Sequence, residues 1–201
     1  MLTGMSTMAL HTLSGGRIIL GLGTSHRHVV EDAHGLKLDR PIALMRDYIE
    51  VIRKVLWETE FSYQGRVLSI PKFIASEPRL RADAPIFVAA LRSQMLGLGG
   101  AVSDGVLMHL TTPKYIRYAV KTIGDSARKA GRDPSRVTIA NLILACVSSD
   151  EDVAAQAVRL AVAAFASRPF YNMLLRDAGY EREMDAIGPE VERRDIAGIA
   201  K

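Results

Sequence analysis

Ala84-Pro85-Ile86-Phe87-Val88-Ala89-Ala90-Leu91-Arg92-Ser93-Gln94-Met95-Leu96, continuing through Ala101 to Ser103-Asp104-Gly105-Val106-Leu107-Met108-His109-Leu110, is the stretch from which the fold can be read. Two apolar runs, each short enough for a buried strand, flank a short helical segment, the pattern of a βαβ unit with parallel strands. Parallel strands open their ligand side at their carboxyl ends, so residues 91–95 and 109–112 are expected to face one place.

The alternation continues outward from this unit. Residues 1–13 carry Met5, Met8, Ala9 and Thr12 at helical spacing and stop at Ser14-Gly15-Gly16. Residues 17–23 read as a short buried strand. Asp39 and Pro41 open a helix to Leu56 with Ile42, Met45, Ile49, Ile52 and Leu56 on one stripe and Arg46/Glu50 and Glu50/Lys54 on its wet side. Phe61-Ser62-Tyr63 and Val67-Leu68-Ser69-Ile70, joined by Gln64-Gly65-Arg66, read as a hairpin, and residues 71–84 as a long loop of the kind that serves as a lid or a plain insertion. Thr112 and Pro113 start a helix with the stripe Ile116, Val120, Ile123, Ala127 and Ala130, ended by Gly131. Arg132-Asp133-Pro134 turns into a strand over residues 137–147. Ser149, Asp150, Glu151 and Asp152 then cap an Ala-rich helix to about Ala166, followed by a short helix through Leu174 to Ala178 and a polar segment from Glu181.

Hydrophobic residues make up 48% of the 201, enough for a sizeable core and, by length, one domain. The aliphatic and glycine-rich balance suits an α/β protein. The single cysteine, Cys146, excludes a disulfide framework and, inside an apolar run, reads as a buried inert thiol. No run approaches the roughly 20 apolar residues of a membrane span and no signal peptide marks Met1, so a cytoplasmic protein without membrane contact is expected. The net charge of +4 comes from scattered Lys and Arg, which argues against nucleic acid and leaves an anionic small molecule compatible.

Several residues near the strand ends invite chemistry. Gly21-Leu22-Gly23-Thr24-Ser25-His26 lacks the third glycine of a dinucleotide loop and the Lys of a P-loop, so its glycines read as close backbone approach at a strand mouth. His26, His28 and His34, placed on a loop, match no metal site by spacing; no metal is expected. His26, directly after the strand, and His109, ending the later one, are the candidates for hydrogen bonding a substrate. Four strands alternating with helices fit either an open doubly wound sheet or part of a (β/α)8 barrel, and periodicity does not choose between them.

Ser14-Gly15-Gly16-Arg17 before Leu20-Gly21-Leu22-Gly23, Tyr63-Gln64-Gly65-Arg66, residues 85–91, Asp104-Gly105 and Ala130-Gly131-Arg132-Asp133-Pro134 occur in the order found in the bacterial luciferase-like monooxygenase family, which the chain resembles over nearly its whole length. The resemblance is nearest to the branch using the deazaflavin coenzyme F-420, where Gly23-Thr24-Ser25-His26 and Arg168-Pro169-Phe170-Tyr171-Asn172-Met173-Leu174 also find counterparts. It implies a partial (β/α)8 barrel holding about strands four to seven in one incomplete domain over residues 1–201, since a whole barrel takes about 250 residues. It also implies that Leu91, Arg92, Gln94 and Met95 bind the cofactor phosphate through backbone N–H groups, with Gly23, Thr24 and Ser25 as the second candidate. Every helix start offers such donors, so the geometry by itself does not single this one out. Arg92 departs from the small glycine often found in this turn, and its charge offsets the looser approach.

The implied function is hydride transfer between deazaflavin and a small organic substrate, with catalytic residues on strands outside this sequence. The alternatives are an FMN-dependent monooxygenase of the same superfamily and a non-catalytic flavin-binding remnant or gene fragment. An incomplete barrel exposes interior apolar faces, so a homodimer is also expected.

Overall fold

A computed structural model describes residues 1–75 and 82–200; residues 76–81, within the long loop expected over 71–84, lie outside the described residues. The elements are α1 (Leu2–Leu13), β1 (Leu20–Leu22), a π-helical turn (Val29–Ala33), α2 (Pro41–Trp57), β2 (Glu60–Gln64), β3 (Ser69–Ile74), β4 (Ile86–Ala89), α3 (Ser93–Val102), β5 (Gly105–His109) and α4 (Pro113–Lys129). After a 3-10 turn (Pro134–Arg136) come β6 (Thr138–Leu142), α5 (Glu151–Ala166), α6 (Pro169–Asp177), α7 (Glu181–Ala186), α8 (Gly188–Arg193) and α9 (Ile196–Ile199). They form two compact units, Met1–Met108 with Ala119–Ala140 and His109–Tyr118 with Asn141–Lys201.

The four-stranded sheet has the order β1-β4-β5-β6, and β1 with β4 and β4 with β5 pair in parallel. Leu20 lies opposite Ile86, and Phe87 opposite Gly105. Ile86, Val88, Val106 and Met108 are wholly buried, whereas Ala89 on the alternate face is exposed and Phe87 and Leu107 are half-buried. One face therefore carries the helices and the other is left more open, as in a stretch of β/α barrel wall. Helix α3 packs by Gly99 against Val106, and at Gly100 it meets the Ile123 backbone of α4 so closely that no Cβ fits. Arg132 closes the far end of α3, donating to the Gly100 and Ser103 carbonyls, each at 2.7 Å, which satisfies acceptors the helix end leaves open. Asp104 accepts from the Ile86 N–H (2.9 Å) and from Arg53 (3.0 Å), tying the start of β5 to β4 and α2. Asp104-Gly105 and Arg132 thus hold the amino ends of the strands, away from the ligand side.

Five expected elements shift for identifiable reasons. The strands expected over residues 17–23 and 137–147 pair only at Leu20–Leu22 and Thr138–Leu142, because β1 and β6 are the edges of the sheet. Beyond β6 the apolar run leaves the sheet, and Cys146, expected buried, is exposed. The buried stripe of α4 is Tyr115, Ala119, Ile123 and Ala127 rather than one through Val120, which is 46% exposed; small residues on that stripe let α4 close on α3. Asp39 does not cap α2: Arg40 holds that position in a left-handed conformation, φ 51° and ψ 50°. The segment from Glu181, expected to be merely polar, winds into α7, α8 and α9.

The hairpin forms, but its second strand runs to Ile74 and includes Pro71. Phe61 pairs with Phe73 and Tyr63 with Ile70, so Pro71 falls in the register shift, where its missing N–H breaks no ladder bond. Asp47 of α2, 1% exposed, anchors the hairpin by accepting from the Val67 and Leu68 N–H groups at 2.7 and 2.9 Å and from the Tyr63 hydroxyl at 3.0 Å. Burial pushes the Asp47 carboxyl up, but the Leu68, Val67 and Tyr63 hydrogen bonds outweigh it and hold it below the ordinary carboxylate value. Burial and two facing carboxylates, Glu50 and Asp47, push the Tyr63 hydroxyl far up.

Candidate functional site

In the first unit the carboxyl ends of β1 and β4 stand side by side. A Cβ added at Gly23 would lie 3.3 Å from that of Ala89, so the glycine read as a close-approach position is one. Ser25 has φ 57°, a conformation uncommon outside glycine. His26 lies on the loop, as expected, and ends it: its carbonyl accepts from the Val29 and Val30 N–H groups, both at 3.0 Å, opening the helical turn that takes up His28, and its ring stacks on His28 with centroids 5.7 Å apart. Arg27 spans Glu31 and the Leu38 carbonyl, which explains why this segment winds up rather than staying open. No group of three His, Cys, Asp or Glu side chains suited to a metal occurs among the described residues.

After β4 the chain turns through Ala90 and Leu91 to Arg92, whose extended conformation (φ −114°, ψ 152°) precedes Ser93 at the first position of α3. The Leu96 N–H is the first taken within the helix, by the Arg92 carbonyl at 2.8 Å. Ser93, Gln94 and Met95 therefore present N–H groups with no intrahelical acceptor, at the positive end of a ten-residue helix without an acidic residue in its first turn or a side-chain cap. Ser93 and Gln94 are exposed and Met95 is buried beneath them. A phosphate seated there would meet donors already aimed outward.

The second unit holds His109 and residues 110–112. His109 Nδ1 lies 3.0 Å from the hydroxyl of Tyr171 on α6, and its ring meets the Phe165 ring edge-on at 4.7 Å. Burial pushes the His109 imidazole below its ordinary value and the Tyr171 hydroxyl above its own, so at neutral pH the pair is a neutral imidazole and a neutral phenol. Such a pair orients a ring nitrogen and can exchange a proton across one hydrogen bond. Thr111 donates to Asn141 at 2.9 Å, and Thr112 caps α4 through the Tyr115 N–H at 3.2 Å. Leu110, Thr111 and Thr112 line a recess of about 370 Å³ with Ile143, Leu144, Val158, Val162, Leu175, Tyr180 and Met184. Its size and apolar lining suit a small organic molecule. The sequence motif that contains Tyr171 gives it no role; Pro169 as the first residue of α6 is a local signal for the helix, but no local pattern announces a partner 62 residues away.

A family model described as luciferase-like monooxygenase matches residues 1–201. The chain belongs to that family. Among luciferase-like relatives, 5,10-methylenetetrahydromethanopterin reductase of Methanolobus tindarius is 35% identical over 201 residues, covering 98% of this chain and 60% of its own length. The protein of the same name from Archaeoglobus fulgidus is 26% identical, covering 100% and 60%. The chain thus spans about 60% of the length of the curated relatives it matches. Among solved structures, coenzyme F-420-dependent tetrahydromethanopterin reductase from Methanopyrus kandleri superposes with TM-score 0.76 at 23% identity, over 98% of this chain and 62% of that one. A monooxygenase from Streptomyces bottropensis gives 0.65 at 19%, over 94% and 57%. At these identities the likeness concerns the fold, and it supports the partial barrel over the open doubly wound sheet.

Proposed function

We propose that this chain is part of a cytoplasmic luciferase-like oxidoreductase that binds the deazaflavin coenzyme F-420 and serves hydride transfer to or from a small organic substrate. The observation that carries the reading is the start of α3: Ser93, Gln94 and Met95 offer outward N–H donors where no acidic side chain competes, which fits an anionic cofactor end. Leu91 and Arg92 lead into that turn, and the Gly23-Thr24-Ser25 mouth lies beside β4 through Gly23 and Ala89. The coenzyme F-420 dependence in the name of the Methanopyrus kandleri reductase supports the deazaflavin branch.

The cofactor, when bound, supplies the hydride chemistry; the chain supplies position and electrostatics. In this reading residues 91–95 hold the phosphate end, and the recess lined by Leu110, Thr111 and Thr112 takes the organic substrate. His109, next in sequence to Leu110 of that recess and kept neutral and oriented by Tyr171, is the first candidate for a substrate hydrogen bond that introduces no charge. His26, stacked on His28, is the second candidate for a substrate hydrogen bond. Residues 1–201 are read as one incomplete barrel domain, and a homodimer would cover its open face.

Titration with deazaflavin and with FMN, each followed by fluorescence, tests the proposal. Tighter binding of the deazaflavin is expected. Equal or reversed affinity moves the assignment to the FMN-dependent monooxygenases, and failure to bind either leaves the non-catalytic remnant.

A further inference from the structure

Three arginines converge on a recess of about 420 Å³ in the first unit, lined by Arg40, Arg46, Arg66 and Gln94 with Pro41, Ile42 and Ala43. The positive charge there is poorly compensated. Among the described residues Arg40 donates only to the Arg66 carbonyl, at a long 3.4 Å. Arg46 has Glu50 at 3.8 Å, and that carboxylate also accepts from the Tyr63 hydroxyl at 2.8 Å. The Arg66 guanidinium has no acidic partner among the described residues.

The placement runs against ordinary helix electrostatics. The first turn of α2 contains no acidic residue, and Arg40 stands at its cap, where a cation meets the positive end of the helix. Nothing in the fold requires Arg40 there, since its side chain makes no cap bond and its backbone is in the left-handed region that disfavours ordinary side chains. Arg66, by contrast, is held in position. Buried Asp47 grips the next two N–H groups, and Gly65 passes so close to Asp47 that a Cβ would collide with the carboxylate. The fixed backbone of the tip keeps Arg66 beside the other two arginines, and planar guanidiniums with so little counter-charge suit oxyanions.

We propose that this recess binds an oxyanion ligand, a phosphate or a chain of carboxylates, through Arg40, Arg46 and Arg66. The site is distinct from the α3 turn in its donors, sharing only Gln94, and it does not depend on the identity of the cofactor.

The test is calorimetric titration of the 201-residue chain with inorganic pyrophosphate and, separately, citrate at low ionic strength, with Arg66→Gln, Arg40→Gln and Arg117→Gln. Arg117, on the exposed side of α4, controls for net charge. Saturable binding is expected, weakened about five- to tenfold by Arg66→Gln and by Arg40→Gln and unchanged by Arg117→Gln. Tighter pyrophosphate identifies the ligand group as phosphate, and tighter citrate as carboxylate. Thermal melts establish that the variants remain folded; should Arg40→Gln unfold, Arg66→Gln decides alone. The proposal is overturned if neither anion saturates, or if all three substitutions weaken binding equally. It is also overturned if Ser93→Pro abolishes pyrophosphate binding while Arg66→Gln does not, which would place the anion on α3.

Discussion

Replacing Ser93 by proline separates the proposed phosphate function of α3 from its folding. Ser93 is the first helical residue, so its N–H has no intrahelical acceptor to lose. Arg92 before it, at φ −114° and ψ 152°, already has the extended backbone that a residue preceding proline must adopt. The substitution should therefore leave stability unchanged or raise it by up to about 1 kcal/mol through the unfolded chain. It removes one of three outward N–H groups. A charge-assisted hydrogen bond of that kind is worth about 1.5–3 kcal/mol, or roughly tenfold to a hundredfold in affinity. Gln94→Ala, which keeps the backbone donor, should bind nearly as the parent does. Gln94→Pro is a poorer probe, because it would force a helical Ser93 into the position before proline. Fluorescence titration with deazaflavin measures affinity and urea unfolding measures stability in the same samples. If Ser93→Pro stays folded and binds as tightly as the parent, the phosphate lies elsewhere, and the Gly23-Thr24-Ser25 mouth becomes the candidate.

Asp47→Ala leaves the Val67 and Leu68 N–H groups without their acceptor and the Tyr63 hydroxyl with Glu50 alone, and should cost about 3 kcal/mol in urea unfolding. Because the folded Asp47 carboxyl titrates below its unfolded value of 3.8, its contribution is present above that pH and fades as pH falls through the folded value; the variant's acid-unfolding profile should be correspondingly flatter. His109 has the same sign at higher pH. Its imidazole is depressed by burial, so the stability it confers is complete above 6.5 and declines as pH falls below that, and His109→Gln should remove this decline in unfolding midpoints measured across that range. Cys146, exposed, should react with a thiol reagent in the folded protein about as fast as in urea; strong protection would contradict its position.

Local pattern was sufficient where a segment's own periodicity and end signals set its structure. The stripe of α2, the glycine stop after α1, the Asp150 cap of α5 and the alternation of strand and helix around β4 were all legible, because each depends on neighbours within a few residues. The start of α3 was legible for the same reason, as the end of an apolar run entering a helix. The rest needed the folded chain. How far β1 and β6 extend depends on which strands lie beside them, and being edges they pair for fewer residues than their apolar runs suggest. Which face of α4 is buried depends on how near α3 can come, and Gly100 against Ile123 decides that. Asp104-Gly105 and Arg132-Asp133, quoted as family motifs, proved to secure the amino ends of the strands rather than the ligand side, a distinction that sequence order does not carry. His109 meeting Tyr171, and Arg40 meeting the Arg66 carbonyl, bring together residues 62 and 26 positions apart. Such encounters arise from the packing of whole elements, and only the tertiary structure decides them.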